Sequence, residues 1–196
     1  MKTIICIVAK TGRGKDTLAK QIHDKLGIEQ VCSYTTRPKR DYETDGKEHW
    51  FITPEESKRI QENETVLAYA HKPSGVEYFA TLEKIEGNSI VYVIDPEGID
   101  WMRKNISDLN KANIFVVELY ADNKDIEPRI KMRGDDWDTY TERIANEEEE
   151  FETFHKSGNP DVSINALLTI DEVYEEFRKA YFIWRNSAEI TEDIFF

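Results

Sequence analysis

The sequence predicts an α/β fold, a parallel core sheet flanked by helices. Residues 3–8 form a continuous apolar, β-branched run, the pattern of a strand buried on both faces, and 89–95 and 113–119 are further clear strands with apolar centres. Helical character over 99–105, between the second and third of these runs, makes the stretch a βαβ unit and favours parallel pairing. The chain's 196 residues suit one domain, with no internal repeat, low-complexity linker or domain boundary.

The elements follow in order. After the strand at 3–8 comes a glycine-bearing turn, then a helix over 17–26 that stops at Gly27. Residues 30–34 read as a second strand, ahead of a polar loop that runs to His49. Thr53-Pro54-Glu55-Glu56 is a strong helix start, with Thr as N-cap, Pro at the first helical position and Glu at the third. Residues 65–70 and 76–80 are short strands or edges, and 81–86 is a short helix closed by Gly87. Helices are expected over 125–132 and 139–155 around a charged turn, and a last short strand over 161–165. The final helix starts at Thr169-Ile170-Asp171-Glu172, with Ile170, Val173, Phe177, Tyr181 and Trp184 as its apolar face. The acidic run 147–150 reads as a solvated helix face.

Composition excludes several partners. With 39 acidic and 26 basic residues the net charge is −13, which repels duplex nucleic acid and anionic lipid. No apolar run approaches the ~20 residues of a membrane span, and the opening apolar stretch is too short for a signal peptide. Cys6 and Cys32 sit in apolar stretches and read as reduced core thiols, so a cytoplasmic location is expected.

Three clusters carry chemistry. Ala9-Lys10-Thr11-Gly12-Arg13-Gly14-Lys15-Asp16-Thr17 lies between a buried strand and a helix. Backbone N–H groups in such a loop cradle a polyphosphate, and Lys15 reaches its outer phosphates. Asp16 stands where a hydroxyl residue ordinarily ligates Mg²⁺; its carboxylate is also a hard oxygen ligand, and Thr17 offers a hydroxyl one position later. The second cluster, residues 33–40, carries Arg37 and Arg40 three apart on a Pro-containing loop, a fork suited to a phosphate. The third is Arg129 and Arg133, four apart on one helix, with Arg143 on the next. Such a flap can close over a reacting phosphoryl group.

Together these features resemble the guanylate kinase family of P-loop nucleoside monophosphate kinases, from the first strand to the last helix, roughly residues 3–185. The most specific piece is Ser33-Tyr34-Thr35-Thr36-Arg37-Pro38-Lys39-Arg40, followed by Asp45-Gly46-Lys47-Glu48-His49-Trp50-Phe51. The resemblance implies a core of 1–32, 86–124 and 158–185, a monophosphate-binding insert over 33–85, a lid over 125–157 and an extra tail over 186–196. It implies ATP and Mg²⁺ as cofactors, with Thr11, Gly12, Arg13, Gly14, Lys15, Asp16 and Thr17 around the donor phosphates and Asn165 near the adenine. It places Arg37 and Arg40 on the acceptor phosphate, Ser33 at the guanine edge, and Arg129, Arg133 and Arg143 on the lid. Asp95 matches the second acidic residue of the family's Asp-x-Asp-x-x-Gly segment, whose first is here Val93.

The departures concern the acceptor. His49 replaces a phosphate-binding tyrosine, and Tyr78-Phe79-Ala80 stands for Tyr-Tyr-Gly. Ala68 occupies the place of a glutamate that accepts hydrogen bonds from guanine, leaving His71 and Glu77 as the nearest substitutes. The expected reaction is ATP plus GMP or dGMP giving ADP and the diphosphate. A kinase for another monophosphate and a non-catalytic interaction module are the rivals, and a monomer and a homodimer both remain open.

Overall fold

A computed structural model of the chain describes residues 2–41, 43–72, 74–84, 89–105, 112–133, 137–156 and 160–194. Strand β1 (Lys2–Ala9) leads through a loop into α1 (Lys15–Leu26), then β2 (Glu29–Gln30), β3 (Tyr34–Thr35), β4 (Trp50–Phe51) and α2 (Pro54–Asn63). Next come β5 (Val66–His71), β6 (Glu77–Thr81), β7 (Ser89–Val93), α3 (Pro96–Asn105) and β8 (Ala112–Tyr120). The chain continues with α4 (Asn123–Arg133), α5 (Trp137–Lys156), β9 (Val162–Asn165) and α6 (Ile170–Ile194).

The core sheet has the order β2-β7-β1-β8-β9 and every pair is parallel, as expected. Side chains alternate faces along a strand, so β1 serves two cores. Ile5 and Ile7 pack with Leu18 and Ile22 of α1 and Phe177 and Tyr181 of α6. Ile4, Cys6 and Val8 face Ile99 and Met102 of α3 and Leu67 of β5. Phe115 of β8 meets Trp184 of α6 with ring centroids 5.0 Å apart. Burial pushes the Cys6 thiol up to about 12, whereas Cys32 is only half-buried and so is not a core thiol.

A second sheet, β4-β3-β6-β5, sits on the α3 side of the core. Its formation corrects the reading of 30–34 as one strand. Val31 N–H still donates to Val91 O at 2.8 Å, but Ser33 O already accepts from Trp50 N–H at 2.9 Å. The segment satisfies one apolar pattern while its backbone changes partners midway, from the core sheet to the small one.

Both expected capping boxes form. Thr53 Oγ1 accepts from Glu56 N–H, and Glu56 returns a bond to Thr53 N–H; Thr169 and Glu172 do the same for α6. Along α6 the buried face is Val173, Phe177 and Tyr181, while Ile170 is exposed. The helix continues to Ile194, so most of the segment expected as a tail extends it; Phe195 and Phe196 lie outside the described residues. Thr81 ends β6, a single 3-10 turn covers Leu82–Lys84, and Gly87 lies outside the described residues. Among the described residues no helix is long and apolar enough to cross a membrane.

Candidate active site

In a parallel sheet all strands end on one side, and the loops there gather into a crevice. The β1–α1 loop lies at the centre of that edge. Gly12 has φ +84°, and a Cβ on it would come 2.6 Å from Ile130 Cδ1 of α4, so only glycine lets the helix close on the loop. Arg13 is buried and holds the loop from beneath. Its guanidinium donates to Ala121 O at 3.1 and 2.8 Å, to Thr11 O at 3.1 Å and to Asn123 Oδ1. The Arg13 side chain is therefore spent on loop geometry, and only its backbone N–H is left for an anion. Lys15 opens α1 without an ion pair to any described carboxylate, and Asp16 is exposed in the helix's first turn.

The Arg37 cluster forms beside the small sheet. Arg37 forks onto both oxygens of Glu43, with Nη1 2.7 Å from Oε2, and its Nε donates to Tyr78 Oη at 3.2 Å. It also lies over the Phe51 ring, 5.2 Å from the centroid. Glu43 is almost fully buried and accepts from Arg40 N–H at 2.8 Å. Hydrogen bonds from Arg37, opposed by burial, hold its carboxyl down at about 2. The Arg40 head group is more exposed, 4.0 Å from Glu43. Ser33 Oγ and His49 Nδ1 are 2.9 Å apart, and burial followed by the Arg37 charge lowers the His49 pKa, favouring neutral imidazole. The Asp45–Gly46 turn sets this register: Asp45 accepts from Phe51 N–H, and Trp50 lies so close over Gly46 that a Cβ there would be 2.7 Å from it.

Helices α4 and α5 pack together through Ile126, Ile130, Tyr140 and Ile144. Arg129 does not reach the loop. Its guanidinium donates to Ala166 O at 2.6 Å and Leu167 O at 3.3 Å, tying α4 to the turn after β9. Asn165 ends β9 just before that turn, with its Oδ1 accepting from Leu167 N–H. The Arg133 side chain lies outside what is described, and Arg143 lines a cleft toward the small sheet.

The acidic run on α5 is part solvated face and part seam: Glu148 and Glu149 are exposed, as expected, whereas Glu147 and Glu150 are half-buried. Glu147 accepts from Thr11 N–H at 2.8 Å and from Thr11 Oγ1–H at 2.6 Å, and Glu148 pairs with Lys10 at 2.8 Å. Glu150 lies 3.4 Å from Lys72 Nζ and accepts from Glu97 N–H. Helical spacing spreads four consecutive residues around most of a turn, so the run touches two neighbours at once. A cleft of about 1090 Å³ opens between α5, α3 and the β5–β6 hairpin; Tyr78, Lys72, Asp95, Arg143 and Glu147 line it. Asp95 pairs with Lys72 at 2.9 Å. Glu77 takes no part: it faces α2, bonded to Ser57 and to Tyr69 Oη at 2.7 Å.

The sequence reading did not single out Glu43, Lys72 or Glu147. Glu43 had a usable signal, lying three residues after Arg40 as Arg40 does after Arg37. Nothing in the local sequence distinguishes Lys72 or Glu147 from other surface charges.

Comparison with known proteins matches this architecture. The guanylate kinase family model covers residues 1–180. The chain is 30% identical over 203 residues to the guanylate kinase of Aster yellows witches'-broom phytoplasma, covering 97% of this chain and 94% of that one. It is 27% identical over 187 residues to that of Nitratidesulfovibrio vulgaris, covering 91% and 85%. The crystal structure of guanylate kinase from Anaplasma phagocytophilum shares the fold at TM-score 0.62 and 19% identity, over 95% of this chain and 86% of that one. The α/β core with its small second sheet, the loop between β1 and α1, and a family match over nearly the whole chain together make this protein a phosphotransferase of the guanylate kinase family.

Proposed function

We propose that the enzyme transfers the terminal phosphate of ATP to a nucleoside monophosphate, GMP or dGMP first, giving ADP and the diphosphate. One observation carries this reading: Glu147, which holds Thr11 of the donor loop, also lines the cleft that contains Tyr78 and Asp95. Donor and acceptor sites therefore adjoin. Phosphoryl transfer requires positioning and charge stabilisation rather than a covalent intermediate, and adjoining sites supply the positioning.

In this reading residues 33–85 form the monophosphate-binding insert and 125–157 the lid. The backbone N–H groups of 11–17 hold the donor phosphates, with Lys15 on the outermost. Arg37, pre-set by Glu43 and Tyr78, grips the acceptor phosphate with Arg40. His49 sits beside it, where neutral imidazole adds a hydrogen bond without adding charge, and Ser33, 2.9 Å from His49 Nδ1, meets the guanine edge. Arg143 approaches from the lid side of the cleft, while Arg129 fixes the turn that follows Asn165.

Mg²⁺ is tested by the donors present. Among the described residues no three His, Cys, Asp or Glu side chains gather into a metal site. Mg²⁺ keeps several waters and is commonly held by one or two carboxylates plus substrate phosphates. Asp16, exposed at the helix start, fits that partial role, and the bound ion would offset negative charge on the donor phosphates.

An assay coupling ADP release to a panel of ribo- and deoxynucleoside monophosphates tests the reading. Turnover highest with GMP or dGMP is expected. Absence of ADP release with every monophosphate overturns it in favour of an interaction module.

A further inference from the structure

Ala68 leaves this chain without the glutamate that the family resemblance places against guanine, and the structure offers a further polar group nearby. Ala68 and Ala80 face each other across β5 and β6, and both are buried. They pack with Ile94 and Phe154 in the apolar core beneath the hairpin, so neither position offers a hydrogen-bond acceptor. Glu77 is turned to the opposite side of the hairpin, held by Ser57 and Tyr69. His71 lines the cleft but is exposed, whereas the Lys72 side chain in the same lining is three-quarters buried. Its ammonium lies 2.9 Å from Asp95, 3.4 Å from Glu150 and 4.0 Å from Glu97.

Resting on the kinase reading above, we propose that Lys72 is a specificity-determining residue. With Asp95 it forms a donor–acceptor couple that selects monophosphates whose base carries a carbonyl beside a ring N–H, as guanine does. An ammonium only donates and a carboxylate only accepts, so the couple has a fixed order along the base edge. A monophosphate anchored at the Arg37 and Tyr78 end of the cleft cannot turn its base over freely. A base with an amino group beside an unprotonated ring nitrogen then meets donor against donor and acceptor against acceptor, and a couple that gains no hydrogen bond from the base disfavours it. Burial alone would lower the Lys72 pKa, but Asp95 and Glu150 carry it upward, so the ammonium stays a donor throughout the physiological range. Glu150 comes from α5 and ties the couple to lid position without presenting it to the base.

The test compares GMP with AMP, both as substrates and as ligands in titration calorimetry, for the parent, Lys72→Met, Lys72→Arg and Glu150→Gln. Lys72→Met is expected to lower kcat/KM for GMP about 10- to 100-fold, mainly through KM, with AMP changed by no more than about twofold. Lys72→Arg should restore part of the GMP preference, and Glu150→Gln should leave the GMP-to-AMP ratio unchanged. Equal losses for both nucleotides, or no loss, overturn the proposal and reduce Lys72 to a tie that closes the cleft. Should Lys72→Met fail to fold, Lys72→Gln takes its place; about a tenfold fall in the GMP-to-AMP affinity ratio supports the proposal and an unchanged ratio overturns it. A parent that binds GMP over AMP without turnover sinks the kinase reading, and the variants' binding ratios still decide the role of Lys72. A parent that binds neither overturns both.

Discussion

In the five-stranded sheet, side chains are held from both faces. Ile4, Ile5, Cys6, Ile7 and Val8 are all fully buried, each between neighbouring strands and a covering layer. In the small sheet β3 and β4 are two residues long, and their loop is held by side chains: Arg37 on Glu43, Asp45 on Phe51 N–H, Ser33 beside His49. Close packing tolerates few geometries, so the first region presents its loop in a fixed place. A polar network is rigid only while every partner is present, so the second can change what it recognises by exchanging a few charges. The donor loop is attached to the packed region and the proposed acceptor cleft to the networked one. Ala68 and Lys72 lie on the networked side, in and beside β5.

The largest effect should come from the donor side. Lys15→Ala removes a preorganised charge that makes no ion pair among the described residues, so the melting temperature should hold while turnover falls by at least ~3 kcal/mol, more than about 100-fold. Steady-state kinetics beside a thermal melt checks this; turnover within a few-fold of the parent would remove the donor assignment.

A smaller effect, on the networked side, comes from Glu43→Gln. Fork geometry is lost with the charge, and KM for the acceptor should rise about tenfold with kcat less affected. Acid sharpens the contrast. The Glu43 carboxyl is depressed in the folded chain from 4.5 to about 2, so its stabilisation is complete above pH 4.5 and is lost as pH falls from there toward 2. Parent and variant melting curves should converge across that window. Parallel curves would mean that the pair contributes nothing to the fold.

The smallest effect falls where the two regions meet. Glu147 places an anion on Thr11 N–H and Oγ1–H, where donor phosphate would approach. Glu147→Gln keeps an acceptor but removes the charge, and ATP affinity should rise roughly two- to fivefold. Calorimetric titration reads it directly, and weaker ATP binding would show that Glu147 assists the donor rather than competing with it.

The apolar runs at 3–8, 89–95 and 113–119 determined the parallel core by themselves, because a strand buried on both faces needs apolar side chains at every position. The β1–α1 loop and the two capping boxes were equally legible: spacing within a few residues fixes local backbone geometry. Other features depend on partners far away in the chain. Whether residues 30–34 form one strand is decided by Val91, Trp50 and Phe79, more than 15 residues distant in sequence. The direction of Glu77 and the docking of Glu147 are settled in the same way, by which element lies across from them. A charge carries no sequence pattern that says which neighbour neutralises it. The five-residue reach of a motif could therefore define the donor loop, while only tertiary packing could bring Lys72 to Asp95 and close the acceptor cleft.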